Sequence, residues 1–520
     1  MATTVPAATG ATLPPAADDS IPMRTDEARM ARLREAFRAL RFTFGETFGR
    51  WRERSQRGEN PREYPIDDAT DLLATLFLSE RRVPVPTIEA LLPAETREDL
   101  DALNLLRTPQ DDPDHRVGRI SFSSVMDLWL AADNGFLDPG ETVRTDIVFD
   151  ALTSNTQQFL SLCPFDACDA FLELCSGSGV AALAAAQRGA RHAWGVDITE
   201  RSTHFAEWNR RFNRVENATM LQGDLYAPVA GQTFDRIVAH PPYVPNAKQE
   251  MIFRDGGADG EQITRRIVEE LPQYLRPGGR FFAVCLASDR ENRPLELRLR
   301  DWLGAAQEDF DVLVVELAVP RNPTAYFAYS AYRKGVGFAE LEERHRLFAG
   351  LGVTQLVYAA IVLQRRAEAR PVFTARRQAG EGCTRENIRW ALREEAALLD
   401  PGYGAGLADT PLVLADGAHV TVRYVHQQGM LRAEHARLDL DTPFVLRATC
   451  PPWAASLAGS FLTPTTPREA VAAGIAAREL PTELSEADSL DRTLRSFVGA
   501  GLFHAVGDTP PQPRGPEAVL

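Results

Sequence analysis

Apolar positions near the start of the chain recur at the spacing of a helix. They lie three or four residues apart, at Met30, Leu33, Phe37, Leu40 and Phe44. This spacing predicts one helix over residues 25–54, with Thr25 as its N-cap. From about residue 145 the pattern changes. Short apolar runs of strand length then alternate with helical segments, which indicates a parallel sheet.

The predicted sheet has seven strands. They span residues 170–174, 193–196, 219–222, 236–239, 280–287, 312–318 and 355–364. Helices are predicted among them over residues 180–187, 261–271, 326–332 and 338–348. The predicted fold class is therefore α/β, with a seven-stranded, mostly parallel, Rossmann-like sheet over residues 145–367.

One further domain is predicted on each side of the sheet. Apolar sets separated by prolines over residues 67–106 predict three short helices, and a loose alternation over residues 117–130 predicts a β-wing. This order resembles a winged-helix domain, within a predicted N-terminal domain of residues 23–144. Residues 368–507 mix helical and strand patterns, which predicts a C-terminal α+β domain. A second winged-helix-like fold is one interpretation of it.

Composition narrows the class of protein. Hydrophobic residues make up 44% of the chain and charged residues 25%, as in a soluble globular protein. A net charge of −15 argues against bulk nucleic-acid binding, because polynucleotide phosphates repel it. The six cysteines form no Cys-x-x-Cys pair, so neither a disulfide framework nor a metal site is predicted.

The ends of the chain and its hydropathy bear on location. Residues 1–22 and 508–520 are predicted to be a disordered leader and a disordered tail. The start lacks the basic and apolar regions of a secretory signal, and no apolar run is long enough to span a membrane. A cytoplasmic location without membrane contact is expected, and the sequence indicates no oligomeric state.

The turn after the first strand carries the first candidate binding residues. Residues 175–179, Cys-Ser-Gly-Ser-Gly, are small enough to let backbone N–H groups and a helix N-terminus approach a ligand. Asp197 ends the second strand about 20 residues later, the offset at which an acid accepts hydrogen bonds from ribose hydroxyls. Asp224 follows the third strand, where an acid can accept from an adenine amine. Together they predict a nucleotide-like ligand at this edge.

The fourth strand ends in His240-Pro241-Pro242-Tyr243. Two prolines cannot continue a ladder, so the strand must turn at its carboxyl end, where ligands bind in open α/β sheets. The turn brings together an imidazole ring, backbone carbonyls and a tyrosine face. Such a corner suits a flat nitrogen group that donates two hydrogen bonds. The alternative is a plain Pro-Pro turn after a core strand.

Taken together, these motifs resemble class I S-adenosylmethionine-dependent methyltransferases. Within that class they look like the amino-methylating group of release-factor glutamine and adenine amine methyltransferases. The motifs are Glu173 to Gly179, Asp197, Asp224, His240 to Tyr243, and the later run Gly256 to Gly260. The resemblance covers residues 145–367, so the predicted fold is a methyltransferase sheet.

The resemblance implies a role for each motif residue. The residues implied to hold S-adenosylmethionine are Glu173, Cys175, Gly177, Gly179, Asp197, Asp224 and His240. Glu173 has an alternative role as an acid that orients the turn. The implied catalytic residues are His240 and the Pro241 carbonyl, as acceptors for the substrate NH₂, and Tyr243, which would stack on the planar group. No metal is implied.

The sequence departs from the family at two positions. Cys175 stands where the family turn begins with glycine, and a small side chain is tolerable there if φ is negative. His240 stands where the family has Asn, Asp or Ser. A neutral histidine can accept a hydrogen bond but a protonated one cannot, so activity is expected to fall at acid pH.

The predicted function is methyl transfer to a planar amide or amine nitrogen of a protein or peptide. Alternatives are a base amine of RNA or DNA, a small-molecule or natural-product acceptor, and a catalytically dead module that senses the cofactor. The retained cofactor acids argue against the last.

Overall fold

The computed structural model describes residues 22–57, 64–79, 81–135, 144–246, 250–326, 328 and 337–508. The described chain divides into two units. The first holds the residues up to Ser124, those between Trp129 and Val143, and Arg211–Asn213; the second holds the rest. Apart from Pro22 and Asp508, the predicted leader and tail lie outside the described residues. The predicted helix over residues 326–332 lies mostly outside them too.

The N-terminal region contains five described helices and five short strands. They are α1 (Glu27–Ala39), α2 (Phe44–Gln56), α3 (Ala69–Phe77), β1 (Val83–Pro84), α4 (Val85–Leu91), α5 (Ala94–Ala102), β2 (Leu106–Arg107), β3 (His115–Gly118), β4 (Ile120–Val125) and β5 (Leu128–Asp133). Strands β1, β3 and β2 form one antiparallel sheet, and β4 pairs with β5. The winged-helix assignment and the domain boundaries stay predictions.

The single helix predicted over residues 25–54 is wrong. Two helices stand there, and Arg41 between them has a φ of 55°, which an α-helix cannot contain. The N-cap is Asp26 and not Thr25. Its side chain accepts a hydrogen bond from the Arg29 N–H at 3.0 Å.

The large sheet of the second unit has eight strands, so the predicted seven is corrected. Its strands are β6 (Cys168–Leu174), β7 (Ala190–Asp197), β8 (Ala218–Gln222), β9 (Phe234–Ala239), β10 (Leu275–Arg290), β11 (Phe310–Glu316), β12 (Val353–Arg365) and β13 (Thr374–Gln378). Their order is β13-β11-β12-β10-β9-β6-β7-β8. Only β12 runs antiparallel to its neighbours, so the mostly parallel Rossmann-like sheet is confirmed.

Helices accompany these strands along the chain. They are α6 (Ser154–Leu162), α7 (Val180–Gln187), α8 (Glu200–Phe212), α9 (Gln262–Tyr274), α10 (Leu295–Leu303) and α11 (Phe338–Gly350). Six sheet strands contribute to one buried apolar cluster, in which Leu172, Ile237 and Phe281 are fully buried. Burial of such side chains contributes roughly 1.5–3 kcal/mol each.

The eighth strand comes from the segment assigned to the C-terminal domain. β13 pairs in parallel with β11 at the edge of the sheet. Beyond it lie α12 (Arg385–Ala397), α13 (Pro401–Leu407), β14 (Leu412–Leu414), β15 (His419–Gln427), β16 (Met430–Leu440), β17 (Leu446–Cys450), α14 (Trp453–Gly459), α15 (Pro467–Ala476), α16 (Ala487–Gly499) and β18 (Phe503–Ala505). β15, β16 and β17 form an antiparallel sheet, β14 pairs with β18, and a separate apolar cluster packs the helices.

Candidate active site

The four predicted strand ends meet at one edge of the large sheet. Leu174, at the end of β6, pairs with Val196 of β7 and with Ala239 of β9. The turn after β6, Asp197 at the end of β7, and His240 after β9 therefore leave the sheet side by side. β8 pairs with β7 up to its own last residue, so the acid that follows β8 joins the same edge. In an open parallel sheet this is the ligand-binding edge.

The turn after β6 has a left-handed backbone at three positions. φ is 54° at Cys175, 51° at Gly177 and 77° at Gly179. A cysteine at position 175 was expected to be tolerable if φ there were negative, but φ is positive. A Cβ added to Gly177 would meet no described atom within 4 Å, so open space lies beside the turn.

Cys175 occupies a conformation that favours glycine, so Cys175→Gly should raise stability. A left-handed backbone costs a residue with a Cβ roughly 1–2 kcal/mol, and glycine removes this cost. Glycine also loses more chain entropy on folding, which cancels roughly 0.5–1 kcal/mol of that gain. We expect the free energy of unfolding in urea to rise by up to about 1 kcal/mol. Cys450→Gly, in strand β17, is the control and should lower it.

Glu173 holds the start of helix α7. Its carboxylate, 3% exposed, accepts hydrogen bonds from the backbone N–H groups of Ala181 at 3.2 Å and Ala182 at 2.8 Å. Burial raises the pKa of Glu173 to about 8, against the lowering effect of these two bonds. The structure thus shows the orienting role, and contact between Glu173 and a cofactor stays a prediction.

The two predicted strand-end acids lie close to the turn. One oxygen of Asp197 accepts from the Gly177 N–H at 2.9 Å. Asp224 accepts from the Arg266 guanidinium at 2.7 Å, and its side chain is 49% exposed. Burial raises the pKa of the Cys175 thiol, and the nearby Asp197 and Asp224 charges raise it further. Arg266, on α9, was missed by sequence reasoning because nothing local marks it as a partner of Asp224.

His240 presents a buried ring nitrogen with no partner. Its ring stacks on Phe159 at 5.1 Å and 15°, and the Tyr243 ring lies 5.8 Å away. Nε2 is buried and makes no hydrogen bond to any described group. Burial lowers the pKa of His240 to about 4, so the ring is neutral at physiological pH. A buried nitrogen without a partner costs about 1–3 kcal/mol, and a catalytic role is one explanation for keeping it.

Tyr243 is fixed from two sides. Its hydroxyl accepts a hydrogen bond from Asn155 Nδ2 at 2.9 Å, and its ring lies 6.0 Å from that of Tyr358. Burial raises the pKa of Tyr243 to about 12. Pro241 is buried, and Tyr243 itself is half-buried. The predicted catalytic corner is thus a single packed unit.

The glycine run after the corner packs directly against it. A Cβ on Gly256 would lie 2.6 Å from the Pro242 carbonyl oxygen and 2.8 Å from the Tyr243 Cα. The Gly256 N–H donates to the Val244 carbonyl at 2.9 Å. At the end of the run, buried Glu261 accepts from the Ser288 N–H at 2.7 Å and pairs with Arg298. The run therefore serves as a support for the corner.

Helix α6 was missed, and with it two residues that touch the corner. Asn155 in its first turn contacts Tyr243, and Phe159 stacks on His240. The signal was weak, because only Phe159, Leu160 and Leu162 of its nine residues are buried. A helix with so short an apolar stripe shows little periodicity.

The buried neutral ring of His240 makes stability depend on pH. Below its usual pKa of 6.5 the unfolded chain takes up a proton, whereas the folded chain does so only near pH 4. Stability is therefore intact above pH 6.5 and falls as the pH drops toward 4. Between pH 7.5 and 5 the loss from this group should be about 2 kcal/mol in urea unfolding, and His240→Asn should lack it. Equal pH slopes in both proteins would contradict a buried neutral ring.

No described helix is long and apolar enough to cross a bilayer. In the described ranges, no group of three or more His, Cys, Asp or Glu side chains could hold a metal ion.

Part of the second unit is similar to known proteins. Residues 149–312 match the model of the methyltransferase small domain family. A putative protein N5-glutamine methyltransferase of Methanocaldococcus jannaschii is 39% identical over 114 residues, which is 21% of this chain and 57% of that protein. The release factor glutamine methyltransferase of Gloeobacter violaceus is 31% identical over 157 residues, 26% of this chain and 54% of that protein.

A longer match extends over more of the chain. The ribosomal protein uL3 glutamine methyltransferase of Burkholderia pseudomallei is 29% identical over 248 residues, 44% of this chain and 78% of that protein. The chain spans about half the length of the first two relatives.

The sheet order, the strand-end acids and these matches make this region similar to class I S-adenosylmethionine-dependent methyltransferase domains. Residues 149–312 are thus similar to the methyltransferase small domain family, and the resemblance drawn from the motifs is confirmed.

Proposed function

We propose that this chain transfers a methyl group from S-adenosylmethionine to the amide nitrogen of a protein or peptide. The observation that carries the proposal is the unpartnered, buried Nε2 of His240 at the strand edge that Gly177 and Asp197 share. A neutral acceptor in a place that excludes water suits a group with two N–H bonds.

The residues at the edge fit the cofactor. The open space beside Gly177 admits a ligand close to the backbone, and the acids at the ends of adjacent strands provide acceptors for its polar groups. Asp197 would accept from the ribose hydroxyls and Asp224 from the adenine amine. When bound, S-adenosylmethionine supplies a methyl group already activated by its sulfonium charge. Cys175 and Gly179 would shape the turn around it.

The chain's own contribution is to position a weak nucleophile. An amide nitrogen reacts poorly because its lone pair is delocalised. Nε2 of His240 and the Pro241 carbonyl would accept its two hydrogens, hold the nitrogen toward the methyl group and favour a pyramidal geometry. Nε2 can accept only when the ring proton sits on Nδ1. Tyr243, fixed by Asn155, would stack on the planar group and exclude water.

A protein acceptor is supported by three observations. The relatives described above carry names that specify glutamine of a release factor or of ribosomal protein uL3. The net charge of −15 disfavours a polynucleotide. The Gly256–Gly260 run resembles a segment of the glutamine enzymes and supports the corner here. A cytoplasmic location stays a prediction.

Label transfer tests the acceptor class. The full chain is incubated with S-adenosylmethionine labelled in its methyl group and a matching lysate, which is then separated into protein, RNA, DNA and metabolites. Label in protein, released as methylglutamine on proteolysis, is the expected result. Label in RNA or DNA alone would contradict the proposal and indicate a base methyltransferase. Label in metabolites alone would indicate an enzyme that methylates a small molecule.

A further inference from the structure

Three arginines and one carboxylate form a cluster in the second unit, away from the strand edge. Arg236 of β9 and Arg280 of β10 are register partners, so their side chains leave one face of the sheet side by side. Arg389 of α12 forms an ion pair with Asp166, and Asp166 also lies 4.0 Å from Arg236. The Arg280 guanidinium also donates a hydrogen bond to Gln364 Oε1 at 3.1 Å.

The positive charge in this cluster exceeds the negative charge. Arg236 and Arg389 pair with the single carboxylate of Asp166, whose charge also acts on the third guanidinium, that of Arg280. The neighbouring Asp235 is held by Arg276, which approaches both of its oxygens at 3.1 Å. Burial, followed by repulsion from Arg236, lowers the pKa of Arg280 to about 10. Adjacent like charges destabilise a fold unless something compensates them.

Hydrogen-bond donors are also left over. The Nε atoms of Arg236 and Arg280 are buried, and no acceptor among the described residues reaches either one. A buried donor without an acceptor costs about 1–3 kcal/mol. The cluster is open on one side, because the side chain of Arg389 is 49% exposed and that of Asp166 is 28% exposed. A small anion could therefore reach it.

We propose that Arg236, Arg280 and Arg389 form a binding site for a phosphate group. A phosphate offers several charged acceptor oxygens to planar guanidinium forks, which bind it in pairs of parallel hydrogen bonds. It would supply acceptors to both buried Nε atoms and balance the excess charge. The phosphate is either free, as an ion or on a nucleotide, or part of a nucleic-acid backbone.

The site is separate from the proposed reaction centre. Arg236 lies on β9 four residues before His240, a spacing of about 13 Å along an extended chain. Phe282 and Phe159, whose rings stack at 5.8 Å, lie between the arginines and His240 on the same face of the sheet. Phosphate binding at the arginines therefore does not depend on methyl transfer.

Calorimetric titration of the full chain tests the site, with inorganic phosphate in one arm and a short single-stranded RNA in the other. Sodium chloride keeps the ionic strength equal. We expect wild-type protein to bind phosphate, and Arg280→Gln and Arg389→Gln to weaken it by about tenfold or more. Arg423→Gln is the control. Arg423 lies on exposed strand β15 and pairs with Glu434, and its loss should leave phosphate affinity unchanged.

Thermal unfolding tests phosphate binding even if a variant is less stable than wild-type protein, because each protein is compared with itself in phosphate and in chloride. Phosphate should raise the Tm of wild-type protein relative to chloride, and it should not raise the Tm of Arg280→Gln. No phosphate response in wild-type protein, or an equal response in Arg280→Gln, would overturn the proposal.

The RNA arm identifies the source of the phosphate. If RNA binds and Arg280→Gln weakens it, the group belongs to a nucleic-acid backbone. If the variant loses phosphate binding while RNA binding is absent or unchanged, the ligand is free phosphate or a nucleotide. Both results support the site.

Discussion

His240→Ala should reduce turnover at saturating S-adenosylmethionine by about two to three orders of magnitude, the effect of removing one well-placed polar group from a reacting centre. The change removes Nε2, the unpartnered acceptor at the corner, but leaves the turn after β6 intact. Cofactor affinity should therefore fall far less than turnover, because His240 is only one of the residues implied to hold S-adenosylmethionine. The measurement is kcat by methyl-label transfer, with the cofactor Kd from calorimetry on the same preparations.

Two matched variants separate an acceptor role from a packing role. His240→Asn restores an acceptor of the kind the family uses and should recover part of the lost turnover. His240→Leu fills the space against Phe159 without an acceptor and should be as slow as alanine. If His240→Leu or His240→Ala keeps wild-type turnover, the ring is a packing residue and the proposed role is wrong.

The pH profile of turnover adds an independent check. Because burial lowers the pKa of His240 to about 4, its protonation should not reduce turnover between pH 8 and 5. The sequence predicted that turnover falls at acid pH. That fall should therefore occur well below the pH at which an ordinary histidine is protonated. A step in kcat near pH 6.5 that disappears in His240→Asn would show an exposed ring.

The strand edge could be predicted from the sequence because its signals are local. β9 ends at Ala239, where the Pro-Pro pair requires it to, and α7 spans Val180–Gln187 as its alanine-rich pattern predicts. Parallel strands bring their carboxyl ends to one edge, so the nearness of Asp197 to the turn after β6 followed from topology alone. The roles of these residues in methyl transfer remain proposals.

What the sequence could not show depends on contacts between distant segments. β13 carries Arg376 and Arg377 and no buried apolar residue, so it has no strand periodicity. It is held by ion pairs such as that of Arg376 with Asp289 at 2.7 Å. The positive φ of Cys175 is likewise imposed by the surrounding turn and goes against the residue's own preference. No pattern read along one segment contains such information.

Gly256→Ala should disable the corner without touching the cofactor residues. The new Cβ would meet the Pro242 carbonyl oxygen at 2.6 Å and the Tyr243 Cα at 2.8 Å, and both are backbone atoms that cannot rotate away. The corner must therefore shift, which should cost roughly 1–3 kcal/mol of stability. A displacement of about 1 Å at a reacting centre should lower kcat by about 100-fold. Denaturant unfolding and label transfer measure the two effects.

Gly459→Ala is the matched control, because a Cβ there meets nothing within 4 Å in the described structure and φ is not left-handed. It should change neither kcat nor cofactor affinity. For Gly256→Ala, S-adenosylmethionine affinity within about threefold of wild type would place the damage at the corner, since the turn after β6 is untouched. An equal loss of cofactor affinity and turnover would mean that the glycine run supports the whole strand edge. Wild-type turnover in Gly256→Ala would show that the placement of Tyr243 does not matter for the reaction, and the stacking role proposed for it would have to be abandoned.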